Sequence, residues 1–264
     1  MERVLRKFPK PSKGTLIFLG GLAGAFVVWH FAALYIDQTI RLPGFQATMQ
    51  SFFSNWTNSV VMENLGITLW RVLRGVGYSA LVALPLGLFM GYSKTIRQII
   101  SPLMNSIRQI PIMAWVPMAI IWFGLGEGPT LFIIFMSAVF PLMINTLSGV
   151  ININPDYISA AKSMGASTLN IFTTIILPGA FPSFLTGLRM AVGLGWMSVI
   201  CAEFIATSSG FGFLLIQSQI QFRTADLWSL MIMAAVTGYF IDRILLLIER
   251  SLTGWRFKDA AENS

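Results

Sequence analysis

The chain has 264 residues, 55% of them hydrophobic and 11% charged, with a mean hydropathy of +0.70. Soluble domains carry about 25% charged residues, so a water-soluble globular protein is excluded. The net charge of +7 sits on no basic, aromatic-interleaved folded surface, which argues against nucleic acid as a partner and leaves the lipid bilayer.

Crossing a bilayer takes roughly 20 largely apolar residues. Six stretches qualify: 15–36, 65–91, 102–123, 129–150, 180–206 and 227–249. The fold class expected is therefore all-α, a polytopic membrane protein with six transmembrane helices. The chain divides into a basic tail (1–14), a first anchor helix (15–36) and an outer loop with an interfacial helix (37–64). A transmembrane core (65–250) carrying a polar hairpin (152–178) and a C-terminal tail (251–264) follow. Lys and Arg orient the spans, because positively charged loops stay inside. Arg3, Arg6, Lys7, Lys10 and Lys13 put the N-terminus in the cytoplasm; Lys94, Arg97, Lys162 and Arg250 fall on the same side.

The first span has a basic start but no small-residue cleavage site, and reads as an uncleaved anchor. It holds His30, the only histidine, so neither a histidine metal site nor a Ser-His-Asp triad can be assembled. In the loop that follows, Phe45, Phe52, Phe53 and Trp56 suit an interfacial helix. The second span opens with Arg71 and Arg74, expected either to snorkel to headgroups or to attract an anion at the outer mouth. Ser79, Ala83, Gly87 and Gly91 then recur every fourth residue, and Gly187, Ala191 and Gly195 repeat the pattern in the fifth span. Such stripes let a second helix approach closely, within one bundle or across a dimer interface. Arg108 is expected to flank the cytoplasmic end of the third span, ahead of Pro111.

Between the fourth and fifth spans the sequence reads as two short helices around a sharp turn. Asn154 caps the first, Pro155 suits its first turn and Asp156 its dipole. Gly165 ends it, Ser167 caps the second helix, and Pro178 is expected to break that helix before the next span.

Ala160, Ala161, Gly165, Ile175, Leu177 and Pro178 stand in the register of a known signature: Glu-Ala-Ala, three residues, Gly, nine residues, Ile-x-Leu-Pro. The segment resembles the cytoplasmic loop of binding-protein-dependent ABC importer permeases, with Ser159 where the family usually has Glu. Pro111-Ile112-Met113-Ala114-Trp115-Val116-Pro117 and the Trp122-Phe123-Gly124 that follows are similar to the subgroup importing nitrate, bicarbonate, taurine and alkanesulfonates. The resemblance implies a permease subunit of the bacterial inner membrane, working with a second permease copy or paralogue. Two ATP-binding cassette ATPases and an extracytoplasmic binding protein complete the assembly. ATP and Mg would be used on the ATPase chains, so this chain would carry no cofactor and no catalytic residue. Ser159, Ala160, Ala161, Gly165, Ala166, Leu177 and Pro178 are the implied ATPase-coupling residues.

In the fifth span, Arg189 and Glu203 are the candidate pathway or gate residues. They lie fourteen positions apart, about 21 Å of helix rise, and cannot pair along the helix. Glu203 precedes the polar run Thr207-Ser208-Ser209-Gly210, whose bent backbone would supply hydrogen bonds to a structural carboxylate. A place in the substrate path, or a role in orienting the binding protein, are the other readings. Cys201, the single cysteine, lies in this span and permits no intrachain disulfide. Two alternatives stay open: an ion-coupled secondary transporter, which would show repeats and more buried acids, and an importer of a small heterocycle such as a thiamine precursor.

Overall fold

The computed structural model describes residues 13–36, 38 and 40–262, with side chains between 20 and 253 apart from 22, 23, 25, 37 and 39. The basic residues 1–12 therefore lie outside the described residues. In chain order the helices are α1 (Lys13–Ile36), α2 (Phe45–Thr57), α3 (Ser59–Tyr92), α4 (Lys94–Ile107) and α5 (Trp115–Phe123). They continue with α6 (Glu127–Ile151), α7 (Pro155–Ser163), α8 (Thr168–Ile171), α9 (Leu177–Ala206), α10 (Phe211–Ile220) and α11 (Thr224–Glu262).

The expected count of six spans is not confirmed. Among the described residues, four helical runs are long and apolar enough to cross a membrane, or five when the bent pair α4 and α5 counts as one. The third span is that pair, bent by 81°. Pro111 lacks the N–H that would continue the ladder, and the polar Arg108-Gln109 lies in the break, so the chain turns there. Arg108 is thus at a kink inside the span and not at its end.

Pro178 does not break its helix. Thr168–Ala206 is one continuous 39-residue run, because residues Phe172–Ile176 form a π-helical turn immediately before Leu177. The wider π turn, closed by the Leu177 N–H on the Phe172 carbonyl, makes room for the proline ring inside the run.

α6 is the centre of the bundle, with α3 on one side and α9 on the other. The small-residue stripes face inward: Ser79, Ala83 and Ala191 are fully buried. A Cβ at Gly87 would stand 2.6 Å from the Thr146 Cβ, and one at Gly187 2.7 Å from the Asn145 Cβ, both on α6. The stripes are therefore used within this chain, gripping α6 from both sides. α2 lies against α11, where Ser51 hydrogen-bonds Asp226 and the Asn55 amide donates to Ser229 Oγ at 2.6 Å. Trp196 Nε1 donates to the Ala234 carbonyl at 3.3 Å and joins α9 to α11.

Candidate functional site: two ends of one helix

α7 and α8 mark one end of the α9 rod, and Glu203 marks the other. At the hairpin end, the Asn154 side chain accepts from the Asp156 N–H at 2.9 Å and starts α7; the Ser167 hydroxyl accepts from the Asn170 N–H at 3.3 Å and starts α8. Between them the backbone closes a Schellman turn. The Ala166 N–H donates to the Ala161 carbonyl and the Gly165 N–H to the Lys162 carbonyl, both at 3.0 Å. Gly165 has φ +81°, where a side chain would clash with its own backbone.

The implied coupling residues divide into two sets. Ser159 and Ala160 are exposed, as are Gly165, Leu177 and Pro178. Ala161 is instead buried among Val150, Ile171, Ile176 and Ala180, with Ala166 packed beside it. Ala161 and Ala166 occupy the two apolar positions of the Schellman motif, so their small size fixes α7 onto the chain's own core. They do not lie on the outer face. That face carries Tyr157, Met164 and Leu169, which the signature did not single out; they are 65%, 82% and 72% exposed. A groove of about 670 Å³ runs between α7 and the start of α9, with Ala160, Tyr157, Met164 and Pro178 on its walls.

At the other end Glu203 is completely buried. Its carboxylate accepts from Arg71 Nη1 at 2.8 Å, from Thr68 Oγ1 at 2.9 Å and from the Gly212 N–H at 2.8 Å. Two neighbours complete the set: the Gly210 N–H donates to Asn64 Oδ1 at 2.6 Å and the Phe211 N–H to Thr68 Oγ1 at 2.7 Å. The unpaired donors at the start of α10 are thus capped by side chains from α3 and α9, and the buried carboxylate sits at the positive end of that helix. Arg71 also donates to the Ser209 carbonyl at 2.8 Å and its hydroxyl at 2.9 Å. Arg71 therefore does not snorkel. Only 4% of its side chain is exposed, because the charge finds a counter-ion and carbonyl inside the fold. Arg74 pairs with the half-exposed Glu127 at 2.8 Å. A sequence signal for this latch existed: Asn64, Thr68 and Arg71 at i, i+4 and i+7 form a polar stripe on one helix face.

Arg189 is not near Glu203. It reaches α11 instead, where it pairs with Glu249 at 3.0 Å and with Asp242 at 3.3 Å. Both candidate pathway residues are thus internally neutralised.

Comparison with known proteins fits this architecture. Residues 83–254 match the model of the binding-protein-dependent transport system inner membrane component family. The chain belongs to that family. It is 37% identical over 238 residues to a putative ABC transporter permease of Methanocaldococcus jannaschii, covering 88% of this chain and 89% of that one. Identity to the taurine transport system permease TauC of Escherichia coli is 31%, over 92% of this chain and 91% of the relative. To the bicarbonate transport system permease CmpB of Synechococcus elongatus it is 28%, over 93% and 92%. The inward-facing methionine ABC transporter MetNI shares the fold, with a TM-score of 0.66 over 74% of this chain and 96% of that one, at 17% identity. The chain is a multi-pass ABC transporter permease.

Proposed function

We propose that this permease forms half of the pathway of an ATP-driven importer of small anions of the taurine, bicarbonate or sulfonate type. A second permease copy or paralogue supplies the other half, two ATPases bind at the hairpin end, and a binding protein delivers solute at the latch end. The hairpin end then faces the cytoplasm, a reading supported by Lys94, Arg97 and Lys162 near that end.

One observation carries the coupling: the exposed Tyr157, Met164 and Leu169 stand on a hairpin whose second arm is the same unbroken helix that carries Glu203 in its last turn and ends at Ala206. Apolar side chains at a polar turn outside the bilayer ask for a protein partner. A force applied there passes along α9 as along a rod of about 58 Å. Through α8 and the π turn, closure of two ATPases beneath the hairpins shifts α9 against α6 and opens the pathway between the permeases. Hydrolysis itself takes place on the ATPase chains. The anionic solute class comes from the relatives named for taurine and bicarbonate transport.

The test is uptake into proteoliposomes holding the permease, its ATPases and its binding protein. Taurine or bicarbonate uptake should need ATP inside the cytoplasmic-equivalent compartment and should ignore an imposed ion gradient. Gradient-driven uptake by the permease alone would replace the importer reading with a secondary transporter.

A further inference from the structure

We propose that the pocket at the α4–α5 break is an anion-recognition station in the pathway, with Arg108 as its charge. The pocket holds about 430 Å³ and is lined by Arg108, Gln109, Trp115, Ser137, Ser198 and Cys201, among others. Ser137 lies ten residues into α6 and Ser198 eight residues before the end of α9. Both measures place the pocket about 12–15 Å below the latch end, near the middle of a hydrocarbon core about 30 Å thick.

Three observations point to an anion there. First, the Arg108 side chain is exposed and makes no ion pair or hydrogen bond among the described residues. Arg71 at the latch and Arg189 nearer the hairpin end are both paired with carboxylates, and Arg243 lies over the Tyr239 ring at 5.0 Å. A charge at membrane depth without a counter-ion has to face water or an anionic guest. Second, no Asp or Glu lines the pocket, so its field is positive. Third, irregular backbone at this depth is tolerated only where it is buried in protein or lines a water-filled cavity, and residues 108–111 are irregular. A guanidinium offers a flat fork of donors that matches the paired oxygens of a sulfonate, carboxylate or bicarbonate. The hydroxyls of Ser137 and Ser198, 2.9 Å apart, stand on the facing wall with their protons held by each other and by the Ile134 and Gly195 carbonyls, which leaves Arg108 as the charged donor. A volume of this size admits a small anion with a few waters and excludes a polymer.

The assignment rests on the anionic solute class proposed above, and Cys201 allows the two to be separated. It is the chain's only cysteine, is half-buried and lines the same pocket. The assembled importer in phosphatidylcholine vesicles, where no anionic headgroup competes, is treated with sulfonatoethyl methanethiosulfonate and with its trimethylammonioethyl counterpart. The wild-type Cys201 should react faster with the anionic reagent, relative to each reagent's rate with a small free thiol. Arg108→Gln should cut that preference by about tenfold, the lower end of electrostatic focusing, while Arg108→Lys keeps most of it. Taurine should protect Cys201 in the wild type and not in Arg108→Gln. A wild-type preference for the cationic reagent, or unchanged preference in Arg108→Gln, overturns the station. A binding protein that takes only solutes lacking a sulfonate, carboxylate or bicarbonate group would overturn the solute class, while the reagent preference would still report the sign of the pocket.

Discussion

At the latch end of α9 the Glu203 carboxylate is completely buried and takes hydrogen bonds from α3 and α10; at the hairpin end Met164 and Leu169 are 82% and 72% exposed. The first arrangement is closed on itself. Each charge has a partner from the same chain, so its strength depends on nothing outside it. The second is ordered by its backbone, through two side-chain caps and a glycine turn, and by Ala161 and Ile171 packed inward, but its outward-facing Tyr157, Met164 and Leu169 are exposed. The same helix therefore runs from a fixed point to a contact point. Function placed at the contact point predicts that damage to the two ends will look different: loss of fold at the latch, loss of assembly at the hairpin.

The largest effect is expected from Glu203→Ala. It strands a buried Arg71 and uncaps α10, and should cost on the order of 3–5 kcal/mol, read as a lower thermal midpoint and lower abundance in the membrane. Glu203→Gln keeps an acceptor for the Gly212 N–H and should cost less. If removing both charges, in Arg71→Met with Glu203→Met, restores most of the loss, the pair is a structural latch. If it does not, the capping of α10 dominates.

Next comes Gly87→Val, which drives a branched side chain into Thr146 and the Met143 carbonyl, 2.9 Å from the new Cβ. Overpacking of this kind costs about 1–3 kcal/mol, and should lower the unfolding midpoint of the purified permease without changing ATPase affinity. Gly165→Val forces a β-branched residue to a φ of +81° and should cost about 1–2 kcal/mol, confined to the hairpin. Pull-down of the ATPase should fall sharply while the permease remains inserted at normal abundance.

The smallest effect has the opposite sign. α10 ends in a turn of the same type as α7, but with Phe222 at φ +54° in the glycine position. Phe222→Gly should stabilise the permease by up to about 1 kcal/mol, measured as a raised midpoint.

Much of the hairpin was legible because its signals are local. Asn154, Pro155, Gly165 and Ser167 each act on backbone within four residues, and each stands where its chemistry indicates. The side on which Ala161 packs was not legible, since it depends on Ile171, Ile176 and Ala180 arriving from the following helix. The latch was half legible. Glu203 was identifiable as an acid in an apolar span, but its partner Arg71 lies 132 positions earlier, and nothing local distinguishes a paired arginine from a snorkelling one. Periodicity located the long helices and missed the 81° bend, because Pro102, Pro111 and Pro117 offer three places to kink and hydropathy does not rank them. Pro178 misled for the opposite reason: a π turn before it let the helix pass.

The most direct test of the contrast between the ends is site-specific photo-crosslinking in the assembled importer. A photoreactive residue replaces Met164 at the hairpin end or Leu125, 76% exposed, at the latch end. The Met164 position should crosslink to the ATPase subunit in a manner that changes with bound ATP, and the Leu125 position to the binding protein or the second permease but never to the ATPase. Crosslinking of the ATPase at Leu125, or none at Met164 in a complex that still transports, would contradict the assignment of the hairpin as the coupling surface.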